Sequence, residues 1–187
     1  MSTTTDTSIC NSALSKVGAN RIIALTDNTV EARICKEQYT KVKQKFLRGH
    51  PWNFATKRVS LALLATAPAF GFYNAYQIPT DCLRVKKVDA DETYPWKVEG
   101  TSLVTDNPSA YVEYIADVGE GLFDAYAAEA LASVLAYEIC MTLTQSATVK
   151  ESLKSDMNME LGLARSFDAQ ESTGDRVYAD TWLNSRA

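Results

Sequence analysis

Ile9, Ala13, Leu14 and Val17 recur at three- and four-residue steps, the spacing of one helical face. They predict a helix from Asp6 to Val17, with Gly18 at the position that closes it. "ANRIIALTDN" follows as a connector with an apolar centre. Asn28 with Glu31 resembles a capping box, with Asn in place of the usual Ser or Thr. The helix it opens runs to about Arg48, along a stripe of Cys35, Tyr39, Val42 and Phe46. Lys36, Lys41, Lys43 and Lys45 fall outside that stripe and are expected in water. Lys45 and Arg48 suit a helix C-terminus, and Gly49 is expected to close it in the left-handed conformation.

His50 precedes Pro51, which disfavours the helical region for it. Trp52 and Phe54 then alternate with Asn53 and Ala55, and Lys57, Val59 and Leu61 with Arg58 and Ser60. This alternation predicts a half-buried strand, and makes residues His50, Pro51, Trp52 and Phe54 a structural elbow between helix and sheet. "FYNAYQIP", "CLRVKKVD", a hairpin in "WKVEGTSLVTD" around Glu99 and Gly100, and "AYVEYIAD" extend the β region. Four or five short strands are expected in one compact antiparallel sheet.

Helical spacing returns at Phe123, Tyr126, Ala130, Val134, Tyr137 and Met141, while Leu131 and Leu135 widen the apolar band. That pattern predicts a helix from Asp124 to about Leu143, buried on two sides. Thr148 with Glu151 predicts a capping box for a last helix through Leu153, Met157, Leu161 and Ala164. Beyond Gln170 the periodicity stops, but Val177, Tyr178, Trp182 and Leu183 remain on a polar tail, as in segments that order on a partner. The expected fold is α+β and mainly α: a four-helix core from both chain halves, a small antiparallel β insertion and an extended C-terminal tail. The boundaries are 1–52 and 121–172 for the two parts of the helical core, 53–120 for the insertion and 173–187 for the tail.

The 187 residues fit one domain, 46% hydrophobic and 22% charged, as in ordinary soluble proteins. No stretch approaches the roughly 18 apolar residues of a membrane span, and "MSTTTDTS" lacks the basic start and apolar run of a signal peptide. Cys10, Cys35, Cys82 and Cys140 sit in apolar patterns without a C-x-x-C pair, so buried free thiols in a reducing compartment are expected and no metal site. Net charge is −4, but residues 1–60 hold ten Lys/Arg against four Asp/Glu and residues 61–187 hold nine against nineteen. Such polarity lets opposite faces meet neighbours, including copies of the same chain.

Candidate chemistry is thin. His50 could serve as a base, but no Ser or Cys nucleophile motif accompanies it, which favours a structural or interface role. "DVGEGLFD" lacks the third glycine and the lysine of a phosphate loop and carries acids that repel phosphate, so Gly119 and Gly121 read as turn residues. Glu113, Asp117, Glu120 and Asp124 could supply the acid and base of a glycosidase, a weak signal in an acidic chain. The lysine-rich helix could touch DNA phosphates, but it lacks the context of a recognition helix. No catalytic residue, cofactor or metal is expected.

The stretch "ICNSALSKVGANRIIALTDNTVEARICKEQYTKVKQKFLRGHPWNFATKRVSLA" resembles the N-terminal half of phage head-to-tail adaptor proteins of the tail tubular protein A type. The residues that carry the likeness are Asn11, Ala13, Leu14, Gly18, Leu25, Asp27, Ala32, Cys35, Tyr39, His50, Pro51, Trp52, Phe54 and Ala55. "YNAYQIPTDCLRVKKV" is similar to a second family stretch at Tyr76, Pro79, Asp81, Cys82, Leu83, Arg84 and Val85, and "EALASVLAYEIC" and "DAQE" also look alike. The resemblance spans roughly residues 8–172. It implies a virion protein at the neck between capsid and tail: a homo-oligomeric ring, usually of twelve copies, beneath the portal protein. The ring lengthens the channel through which double-stranded DNA passes and offers a platform to a downstream tail, nozzle or stopper protein. The tail with Val177, Tyr178, Trp182 and Leu183 would dock on the portal. Some adaptors of short-tailed phages are credited with cell-wall hydrolysis, but no motif here carries a peptidoglycan hydrolase. A DNA-binding packaging accessory protein is the other alternative.

Overall fold

A computed structural model describes residues 4–89 and 94–172. Its architecture is α+β and mainly helical: α1 (Asp6–Val17), α2 (Val30–Gly49), α3 (Ala125–Thr144) and α4 (Ala147–Gln170) bracket seven short strands. Tail residues Val177, Tyr178, Trp182 and Leu183 lie outside the described residues.

Each helix begins where a short polar side chain can accept from an orphan backbone N–H. Thr5 and Ser8 form a full capping box on α1, and Asp124 caps α3 through the Ala127 N–H. Two caps differ from expectation. Thr29 rather than Asn28 starts α2, accepting from the Ala32 N–H, and Ser146 rather than Thr148 starts α4, accepting from the Val149 N–H. In both places neighbouring polar residues compete, and the one with extended backbone immediately before the first helical turn prevails. Gly18 closes α1 at φ 79°, as its sequence position predicts. Gly49 does not play that part: it remains in α2, and the stop is His50, extended at φ −141° because Pro51 follows.

α3 is the helix on which the other three pack. Tyr126 and Tyr137 point towards α4, stacking on Phe167 and lying under Lys150, whereas Glu129 and Glu138 reach Lys16 of α1 and Lys45 of α2. Sandwiched in this way, α3 buries Leu131, Leu135 and Ile139 completely. It is also long and apolar enough to cross a membrane by length and composition, contrary to the expectation that no stretch comes close. Its apolar surplus is what contact on several sides demands.

The strands are β1 (Thr56–Ser60), β2 (Ala62–Leu63), β3 (Asn74–Gln77), β4 (Cys82–Asp89), β5 (Trp96–Glu99), β6 (Ser102–Thr105) and β7 (Tyr111–Ala116). They form two antiparallel sheets, ordered β1-β7-β4 and β2-β3-β6-β5, not the single sheet expected. The chain changes sheets at buried Leu61, whose N–H donates to Ala110 O while β1 pairs with β7 and β2 with β3. Gly100, at φ 59°, makes the expected tight turn of the β5–β6 hairpin.

Candidate functional site

The histidine elbow is built inwards. Trp52 is fully buried, its ring stacked 4.7 Å from Phe46 and 5.6 Å from Phe54, and Phe54 lies 5.0 Å from Phe123. The indole N–H donates to Phe46 O at 3.2 Å, so its polar edge is satisfied. Asn53–Ala55 form a single 3-10 turn rather than the start of a strand. Both aromatic side chains must enter the same cluster, and the Thr56 hydroxyl bonds back to Trp52 O at 2.7 Å, which an extended chain would not permit. The strand therefore begins only at Thr56. It is an edge strand with Lys57 through Ser60 exposed, not the half-buried strand expected.

Asp168 of α4 holds the elbow, a residue that the sequence reading above does not single out. Its carboxylate accepts from the Asn53 N–H at 2.8 Å and lies 3.1 Å from His50 Nε2, while its backbone oxygen accepts from Asn53 Nδ2 at 2.6 Å. Asp168 is itself buried. A signal was available: it continues the Leu153, Met157, Leu161, Ala164 stripe at the next inward position, where a lone acid demands a partner. A carboxylate only accepts, so His50 carries its hydrogen on Nε2. Burial lowers the His50 pKa below its ordinary value, Asp168 opposes that shift, and Arg165 and Arg84 nearby add to it.

Other motif residues are also turned onto the fold. The Asn11 amide donates to Ile22 O and accepts from the Ile22 N–H, and Asp27 accepts from the Ile23 and Ala24 N–H groups. Together they shape the α1–α2 connector. Asp81 accepts from Lys57 at 2.8 Å and from the Tyr114 hydroxyl at 3.1 Å, tying β1 and β7 to the start of β4. The Lys57 ammonium and the Tyr114 hydroxyl hold its carboxyl below the usual range against the opposing effect of burial, and burial beside Asp81 pushes the Tyr114 phenol up to about 12.

The four candidate carboxylates are also engaged. Glu113 is held between Arg58 at 2.9 Å and Lys86 at 2.6 Å, and these cations lower its pKa, Lys86 foremost. Lys43 bridges Asp117 at 3.1 Å and Glu120 at 3.2 Å, and Tyr39 donates to Glu120. Burial alone would raise the Glu120 pKa, but its backbone hydrogen bond, Lys43 and Tyr39 bring it below the ordinary range. Asp124 is the α3 cap. A glycosidase acid needs a raised pKa, and Glu113 and Glu120 move the other way. Lys43, expected in water, is 13% exposed for the same reason.

Gly119 precedes a single 3-10 turn at Glu120–Leu122, Gly121 is the middle residue of that turn, and neither needs a positive φ. Cys10, Cys35 and Cys140 are buried as expected, Cys82 is half-buried, and all four are free thiols. Contact with Cys35 and burial hold the Cys10 thiol protonated. Among the described residues no group of three or more His, Cys, Asp or Glu side chains converges as metal ligands would.

Two groups of exposed apolar side chains lie away from these residues. Met159, Leu163 and Phe167 form a stripe on α4, and Phe70 and Tyr73 stand out in the β2–β3 loop. Neither a scan of protein-family models nor a search of curated proteins finds a match for the chain.

Proposed function

We propose that this chain is a structural virion protein: a head-to-tail adaptor that assembles as a ring beneath the portal, lengthens the DNA channel and presents a platform to a tail component. The observation that carries this reading is where the polar residues of the resemblance go. Asn11 and Asp27 serve as backbone clamps, His50 as a side-chain hydrogen-bond partner of Asp168 and Asp81 as an ion pair with Lys57, all within the fold. The motif is therefore a recipe for shape, as an assembly subunit requires. The polarity of the chain, basic in its first third and acidic beyond, suits repeated side-by-side contacts between identical subunits.

A hydrolase is less well supported, because Glu113, beside Lys86 and Arg58, and Glu120, through its backbone hydrogen bond and Lys43, are both held below the ordinary carboxylate range, opposite to a glycosidase acid. The deciding experiment images purified protein mixed with portal assemblies. A symmetric collar on one end of the portal is the expected result. Portals that stay bare at saturating protein would overturn the adaptor reading.

A further inference from the structure

We infer that α4 carries one half of a self-association contact whose other half is the outer face of α2, so that copies of this chain join head to tail. The inference rests on the adaptor reading for its biological setting, but its residues are chosen by the structure alone.

Of the 24 residues of α4 only Leu153, Ala164 and Asp168 are buried. On one flank Met159, Leu163 and Phe167 follow at four-residue steps, 60%, 42% and 40% exposed. Asp156 and Glu160 fall within and beside that stripe on a helical projection. Neither acid makes an ion pair among the described residues, unlike Glu151 with Lys154. Lys150, Lys154 and Arg165 project to the opposite flank. The result is an apolar strip edged by negative charge.

The outer face of α2 has the complementary character. Arg33 and Lys41 project away from its buried stripe and Lys36 is exposed at the edge of that stripe, and the only acid among them, Glu37, makes a loose 3.9 Å pair with Lys41. Its first residue, Val30, is 55% exposed, and Ile23 in the connector just before it is 92% exposed. Apolar groups edged by positive charge are what the α4 strip would select, since complementary charges fix register and reject wrong pairings.

Among the described residues no ion pair joins the two faces within one copy. α4 packs on the part of α3 that presents Tyr126 and Tyr137, whereas α1 and α2 meet α3 elsewhere, through Glu129 and Glu138. A contact between different patches of identical subunits is heterologous, and such contacts propagate into closed rings or open filaments. A second copy is therefore the occupant that brings both halves of the match.

The experiment uses the full chain, half of it isotopically heavy, raised to millimolar concentration and treated with a carbodiimide that joins amines to carboxylates at contact. Mixed-isotope links from Lys36 or Lys41 to Asp156 or Glu160 are expected. Reversing one face, as Lys36→Glu with Lys41→Glu or Asp156→Lys with Glu160→Lys, should weaken self-association by about tenfold or more, because like charges then meet. Mixing these two variants should restore it, because each supplies the face that the other lacks. Circular dichroism of each variant separates lost contact from lost fold, and Leu163→Asp tests the apolar strip independently. A chain that stays monomeric without such links, links confined to other faces, or variants that fail to rescue each other would overturn the contact. So would a monomer whose α2 lysines serve only salt-sensitive binding to duplex DNA. Rescue without a collar on portal would leave the contact standing and remove the adaptor reading, and a collar formed by the reversed variants would do the opposite.

Discussion

At the scale of single residues the joint that matters is Asp168. It closes the chain on itself, bringing the end of α4 onto the elbow 115 residues earlier through the Asn53 N–H and His50. Asp168→Ala leaves a part-buried N–H and an imidazole without their acceptor, and should cost about 2–3 kcal/mol of unfolding free energy in urea titration. Asp168→Asn keeps one acceptor oxygen and should cost less. Equal losses from the two would mean that the charged carboxylate, with both of its oxygens accepting, carries the whole effect. The histidine adds a dependence on pH. Burial lowers its pKa in the folded chain below the ordinary 6.5, so as pH falls the unfolded chain takes up this proton first. Its contribution to stability is complete above about 6.5 and is lost below it, until the folded histidine titrates as well. Asp81, Glu113 and Glu120 are shifted down from 3.8, 4.5 and 4.5, so their contributions persist until the pH falls below those values. The interval from pH 6.5 to 5 therefore belongs to His50. Wild-type protein should lose stability between pH 7.5 and 5.5 in urea titrations, and His50→Gln should flatten that slope. An unchanged slope would assign the effect to other groups.

At the scale of elements, helix starts provide the sharpest test, because sequence and structure choose different residues. Ser146→Ala removes the hydroxyl that accepts from the Val149 N–H and should cost about 1 kcal/mol. Thr148→Ala, inside the first turn, should stay within about 0.5 kcal/mol. Thermal or urea unfolding of the two variants decides between them, and the reverse order would restore Thr148 as the cap. These near misses show what sequence alone can supply. The four helices were legible because 3.6-residue periodicity is a long-range average that survives local error, so α1 is met at both ends and the other three within a few residues. Cap identity depends on which of several adjacent Ser, Thr or Asn residues has extended backbone, a one-residue question. The elbow was legible as a joint but not as a 3-10 turn, because alternation of Trp52 and Phe54 suits both until Phe46 and Phe123 are known to share their cluster. The division into two sheets was hidden at Leu61, where a single buried residue decides which partner each flanking strand takes. Asp168 was missed for the opposite reason: its position was visible, but its partners lie far away in sequence.

At the scale of the whole molecule, the described fold closes before the C-terminal segment begins. The last inward group of α4 is Asp168, and the 15 residues from Thr173 to Ala187 follow it. Deleting residues 173–187 keeps every clamp and core contact described above, and under the adaptor reading, which gives that segment to the portal, the unfolding midpoint should hardly move. The deletion also removes Val177, Tyr178, Trp182 and Leu183, two aromatic and two aliphatic side chains in an otherwise polar run. Tyrosine and tryptophan commonly carry interface energy, so under the adaptor reading the truncated chain should fold, keep its α2–α4 self-association and fail to co-sediment with portal. The combination is diagnostic, because lateral contact and axial docking would then rest on separate parts of the chain. Truncated protein that still co-sediments with portal would move the docking surface back onto the folded body. The exposed Phe70 and Tyr73 of the β2–β3 loop would be the next place to probe, since no charged residue lies between Arg58 and Asp81 to repel an apolar partner.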